Sequence, residues 1–112
     1  MDILFADNKL EKECNDFRRL QKAHGEKRAK RIRQRLDELR AADALCDISH
    51  LPPPRMHQLV GNREGQFSVD LDHPYRLIFI VANEPVPLKV DGGIDLSKVT
   101  IILIIGVEDT HE

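Results

Sequence analysis

The sequence predicts an α+β fold in which a short N-terminal strand and a helix hairpin pack on one face of an antiparallel sheet of three to five strands. Three observations predict it. Apolar residues recur at helical spacing up to about residue 44, Pro52-Pro53-Pro54 interrupts the pattern, and beyond it the period changes to two. Helical and strand segments that are segregated along the chain place the helices together against a sheet. The 112 residues suit one domain, 1–112, with a single core.

Each element has its own signal. Ile3-Leu4-Phe5 is a short apolar run, read as an edge strand. Asp7 or Asn8 caps a helix over about 8–24, whose stripe is Leu10, Cys14, Phe17 and Leu20. His24-Gly25 stops it, glycine being the usual residue beyond a helix end. A second helix over about 26–44 carries Ala29, Ile32, Leu36 and Leu39 on one side. Lys27, Lys30, Arg31, Arg33 and Arg35 are expected on the other. The triple proline reads as a stiff, extended linker. Met56, Gln58 and Val60 then alternate with His57 and Leu59, and Gly61 to Gly65 is a turn. Phe67, Val69 and Leu71 alternate with Ser68, Asp70 and Asp72 in a half-buried strand. After a turn at Asp72-His73-Pro74, a more continuously apolar strand runs from Tyr75 to Val81, interrupted by Arg76. Asn83 to Lys98, with two prolines and Gly92-Gly93, is a long loop. Val99 to Val107 is a nearly unbroken β-branched run, expected as a central strand buried on both faces.

Composition narrows the function classes. Hydrophobic residues make up 41% of the chain, enough to exclude a fully disordered chain, and 32% are charged, which implies an ionic surface. Cys14 and Cys46 fit no metal-binding or C-x-x-C spacing and read as reduced, buried thiols of a cytoplasmic protein. Met1-Asp2-Ile3-Leu4-Phe5 lacks the pattern of a secretory signal, and Ile101 to Ile105 is far too short to span a bilayer, so no membrane association is expected. The net charge of −2 hides an asymmetry: Arg18 to Arg40 holds ten Lys or Arg and three acids. Phosphate attraction acts within a Debye length, so this distribution permits a nucleic-acid partner despite the acidic total. A solvated helix face is the plain alternative.

The stretch Leu59-Val60-Gly61-Asn62-Arg63-Glu64-Gly65-Gln66-Phe67-Ser68-Val69 resembles the centre of HigB-type toxins, the plasmid maintenance killer branch of the RelE/ParE superfamily. In that branch a G-x-R-x-G turn leads into a strand, and an aromatic-Arg-apolar element, here Tyr75-Arg76-Leu77-Ile78-Phe79, opens the next. The family ends on an acid, usually a tyrosine, and a histidine; here the end is Asp109-Thr110-His111. The likeness runs from Asp7 to the carboxy terminus. Val60 stands where the family often has lysine, Thr110 where it usually has tyrosine, and the 83–98 loop is longer than in the smallest members. A subset of the branch shares the long loop and the Asp-Thr-His end.

The resemblance implies a RelE-like fold and the toxin of a type II toxin–antitoxin system. It implies a metal-independent, ribosome-dependent mRNA endoribonuclease, without cofactor, that stops translation by 2′-hydroxyl attack on the adjacent phosphate. Its implied partners are a small helix-turn-helix, HigA-like antitoxin, mRNA in the ribosomal A site, and ribosomal RNA. Arg76, Asp109 and His111 are the implied catalytic residues, with Arg63, His57 and Arg55 binding substrate. An imidazole at His111 suits proton transfer near neutrality, and Asp109, or secondarily Glu108, serves as base or orients it. Arg76, in an otherwise apolar strand, needs either a phosphate or a buried salt bridge. Arg63, between glycines, is placed for bidentate phosphate binding, or else is a solvated turn residue. Arg63, Arg76, Asp109 and His111 are expected to converge on the sheet face that the helices leave open. Three other readings stay open: a gyrase-poisoning toxin, a non-catalytic antitoxin binder, and a generic RNA-binding module using the basic helices.

Overall fold

The computed structural model describes residues 1–109; the expectation for His111 lies outside them. The element order is β1 (Asp2–Phe5), α1 (Asn8–Cys14), α2 (Phe17–His24), α3 (Glu26–Ala41), β2 (His57–Gln58), β3 (Gln66–Asp70), β4 (Tyr75–Val81) and β5 (Ile101–Asp109). The five strands form one sheet in the order β1-β5-β4-β3-β2. β1 pairs with β5 in parallel, and the other neighbours are antiparallel. The α+β architecture with helices on one face is therefore as the pattern predicts.

Register explains which residues face the helices. Phe67 pairs with Phe79, which pairs with Ile104, and one row on Val69 pairs with Leu77, which pairs with Val107. These residues form one cluster with Leu20, Ile32, Leu36 and Leu39 of α2 and α3. The Phe67 and Phe79 rings stack at 5.7 Å. Burying each such side chain contributes on the order of 2 kcal/mol, so this cluster holds the helices to the sheet.

Local chemistry departs from the sequence expectation in several places. The helix expected over 8–24 is two helices, because the Asp16 carboxylate accepts from the Arg18 backbone N–H at 3.1 Å and starts a new helix cap. The next helix ends at Ala41 rather than near residue 44, since Ala42 is already extended and the chain turns into a short 3₁₀ segment at Leu45–Asp47. Gly25, at φ 84°, separates α2 from α3, as its freedom to take positive φ allows. The prolines make a turn instead of an extended linker, with the Arg55 N–H donating to Leu51 O at 3.1 Å. The strand expected from Met56 to Val60 has only two residues, and the 83–98 loop contains a small hairpin with Leu88 opposite Ile94.

Three burial expectations also change. Arg35 is buried, not on the solvent side of α3: it donates to Asp70 O at 2.7 Å and Pro53 O at 3.0 Å, and pairs with Glu38 at 3.1 Å. Residue spacing places Arg35 at the rim of the apolar stripe, and its long stem lets the guanidinium reach backbone acceptors. β5 spans Ile101–Asp109 instead of Val99 to Val107 and is buried on one face only: Ile102 and Ile104 are inaccessible, while Ile101, Leu103 and Ile105 are half-buried. All three helices lie on the first face. Cys14 is half-buried, with burial and then Glu13 raising its thiol pKa to about 11, but Cys46 is exposed rather than buried. Both are free thiols.

Candidate functional site

The open face of the sheet is built by alternation. Residues out of phase with the core rows are Asp70, Arg76 and Glu108 in one cross-strand row, then His57, Ser68, Ile78 and Gly106 in the next. Gln66, Ile80, Leu103 and Leu4 form a third row, which is largely apolar. The polar chemistry thus gathers towards β2, β3 and the end of β5, with an aliphatic surface beside it.

Asp70 is the hub of the first row. Arg55 donates to its two carboxylate oxygens at 2.6 and 3.0 Å, and the Arg76 Nε lies 3.4 Å away. The Asp70 hydrogen bond is the main cause that raises the Arg55 pKa. Arg55 adopts φ 44°, a left-handed conformation that is uncommon for a side chain of this size, and this strained turn delivers its guanidinium to Asp70. Asp70 is held from behind as well, since its carbonyl accepts from Arg35. Arg76 Nη1 is 3.5 Å from His57 Nε2, which puts an imidazole and a guanidinium side by side on the face.

Arg63 comes from the turn before β3, a 3₁₀ segment at Gly61–Arg63. Its fork grips Glu108 through two hydrogen bonds of 2.8 and 2.7 Å. Its other edge donates twice to Gln66 Oε1, at 2.9 and 2.7 Å. Gln66 lies on β3 and Glu108 on β5, so the guanidinium bridges across β4. The row beneath contains Ser68 and Ile78, both without exposure. Hydrogen bonding to Arg63 holds the Glu108 carboxyl below the usual carboxylate range.

Arg55, His57, Arg63 and Arg76 are therefore brought together. Asp109 is not in phase with them: it pairs with Tyr75, whose ring packs against the helix side, whereas Glu108 pairs with Arg76 on the open face. A one-residue step along a strand reverses the face, so the carboxylate next to Arg76 is the one the sequence ranked second. Asp70 and Gln66 were missed altogether. Their signal was parity: both alternate with Phe67 and Val69 and so share a face with Arg76 on the neighbouring strand. Among the described residues, no three His, Cys, Asp or Glu side chains group closely enough to hold a metal ion. None of the described helices is long and apolar enough to cross a membrane.

The basic stripe of α3 lies elsewhere. Lys27, Lys30, Arg31 and Arg33 are exposed on the side of the helix away from the sheet. The molecule thus presents two cationic regions on opposite sides, one solvated and one woven with carboxylates.

Three solved structures share this arrangement of strands and helices. The YoeB/ParE toxin from Agrobacterium tumefaciens superposes with a TM-score of 0.59 at 8% identity, covering 99% of this chain and 100% of that one. Its fold is the fold described above. The chain has the YoeB/ParE toxin fold. The YoeB–YefM complex from Staphylococcus aureus gives a TM-score of 0.56 at 16% identity, covering 100% of this chain and 98% of that one. The YoeB dimer from the same organism gives 0.55 at 19% identity over the same shares. No protein-family model matches the chain, and no curated protein matches it. Among the described residues, the open sheet face brings together the His57 imidazole and the guanidinium groups of Arg55, Arg63 and Arg76.

Proposed function

We propose that this chain is the toxin of a toxin–antitoxin system, and that it cuts messenger RNA on the ribosome. The fold is common to YoeB/ParE toxins, and the observation that carries the chemistry is the pairing of Arg76 with His57 on an uncovered face beside Arg63 and Arg55. Cutting RNA without an external nucleophile requires a base to take the proton from the 2′-hydroxyl as that oxygen attacks phosphorus. It requires cations for the phosphorane, and an acid to protonate the departing 5′-oxygen. An imidazole suits either proton transfer, typically worth ~10²–10⁴-fold. His57 supplies one, and His111 is proposed for the other. Arg76 lies next to His57 and so stabilises charge where the proton moves. Arg63 and Arg55 hold the backbone phosphates. Asp109, in register with Tyr75, is proposed to orient the C-terminal histidine rather than to touch phosphate.

The proposed partners are a small antitoxin, in keeping with a fold neighbour that is a YoeB–YefM complex, together with A-site mRNA and ribosomal RNA. The HigB-like branch, with a helix-turn-helix antitoxin, rests on the motifs around Arg63 and Arg76. One observation favours a second reading, a non-catalytic antitoxin binder: Arg55, Arg63 and Arg76 all contact carboxylates, as purely structural arginines would. Induction of the wild-type gene and of His57→Ala with Arg76→Ala separates the two. The wild type should stop growth and give cuts in translated mRNA by primer extension. The double variant, folded by circular dichroism, should do neither. Growth arrest without cuts, or toxicity retained in the double variant, would exclude the nuclease reading.

A further inference from the structure

We propose that Glu108 occupies the seat of an RNA phosphate on Arg63, and that substrate binds by displacing it. The inference rests on the ribonuclease reading and deepens it. A carboxylate and a phosphate present the same pair of oxygens to a guanidinium fork. Glu108 uses both of its oxygens on Arg63, at 2.8 and 2.7 Å, as a phosphodiester would. The two sides of Arg63 are not equivalent. Gln66 Oε1 accepts from Nε and one terminal nitrogen, and being neutral and on β3 it stays in place as the guanidinium's anchor. The Glu108 side chain is 39% exposed and lies one residue from the end of β5, so it can swing out without moving the sheet.

What lies beneath supports an opening. The bridge from Gln66 to Glu108 passes over the row that holds Ser68. Ser68 is fully buried, and its hydroxyl is the buried side-chain polar atom without a hydrogen-bond partner among the described residues. Such a group is costly unless a ligand or a rearrangement satisfies it. Gly106, in the same row on β5, leaves open space where a side chain would stand. Release of Glu108 frees the outer fork of Arg63 beside the open space at Gly106, on the same face as the His57–Arg76 pair. A built-in competitor also lowers affinity for free RNA, so that productive binding depends on a substrate positioned by other contacts.

Fluorescence anisotropy with a short, labelled 2′-O-methyl oligoribonucleotide, which cannot be cleaved by 2′-hydroxyl attack, tests this on the full chain. Glu108→Gln should bind about two- to fivefold tighter than wild type, the upper part of the range expected when a half-exposed ion pair no longer competes. Glu108→Ala should show the same gain. In an Arg63→Ala background the gain should vanish, because the competitor then has no seat to vacate. Asp91→Asn, an exposed acid in the 83–98 loop, controls for the change in net charge. Weaker or unchanged binding by both Glu108 variants would overturn the proposal, and so would a gain that survives Arg63→Ala or is matched by Asp91→Asn. Failure of the ribonuclease reading shows separately, as toxicity that persists without His57 and Arg76.

Discussion

Replacing Arg35 with methionine tests whether the helices support the open face through one buried guanidinium. Arg35 is 4% exposed and reaches from α3 to Asp70 O and Pro53 O, which are on β3 and in the proline turn. Methionine retains most of the stem's packing but removes both donors. A hydrogen bond from a charged group contributes about 1.5–3 kcal/mol, and the abandoned carbonyls keep their desolvation cost. The Glu38 contact adds little, because that carboxylate side chain is 40% exposed. We therefore predict a loss of about 3–5 kcal/mol, a large share of the ~5–15 kcal/mol typical of whole domains. The assay is urea unfolding followed by circular dichroism, with the midpoint falling and the slope unchanged. The Asp70 carboxylate should lose its fixed position too, so the residual toxicity of folded protein should fall. A stability within about 0.5 kcal/mol of wild type, the range of an ordinary surface substitution, would refute the reasoning, since it would mean that water satisfies both carbonyls.

Three further predictions follow from other contacts. Glu108 has a depressed carboxyl pKa in the folded chain, so its ion pair contributes stability above the ordinary glutamate pKa and loses it as pH falls through the folded value; acid unfolding of Glu108→Gln should therefore be less steep below about pH 4.3 than that of wild type, checked by circular dichroism. Arg28 donates to both oxygens of Asp72 at 3.1 and 3.3 Å and stacks 3.4 Å from the centre of the Tyr75 ring. Arg28→Ala should thus cost about 1–3 kcal/mol, and a melting temperature that does not move would contradict this. Asp70→Asn should release Arg55 and Arg76 from a shared anchor. Toxicity should drop while the far-ultraviolet spectrum is retained, and full toxicity would show that Arg76 needs no such support.

How much of this was legible in the sequence depends on the range of the interaction. The periods of 3.6 and 2 set the element types, because burial of one stripe or one face is a local demand. They also placed Arg76 in a strand and Arg63 in a turn. The break at Asp16 was readable in principle, since an aspartate capping its own downstream N–H is a local bond, but the continuing apolar stripe masked it. Parity within β3 already put Ser68 and Asp70 opposite Phe67 and Val69.

Register and layering were decided only by the tertiary structure. Which carboxylate stands beside Arg76 turns on a shift at Ile78 and Phe79, where β5 has one extra residue, and a single step exchanges Glu108 for Asp109. The partners Arg55–Asp70 and Arg63–Glu108 are 15 and 45 residues apart, so no local pattern announces them. Arg35 looked like one more cation of a solvated stripe until β3 and the proline turn supplied its acceptors. The helix charge, the most visible feature of the sequence, proved to lie on the side away from the arginine–histidine cluster. The sequence by itself determined which segments become helix and strand, because that depends on the spacing of apolar residues along the chain. The composition of the open face depends on how strands from distant parts of the chain align, and alignment is a property of the folded sheet.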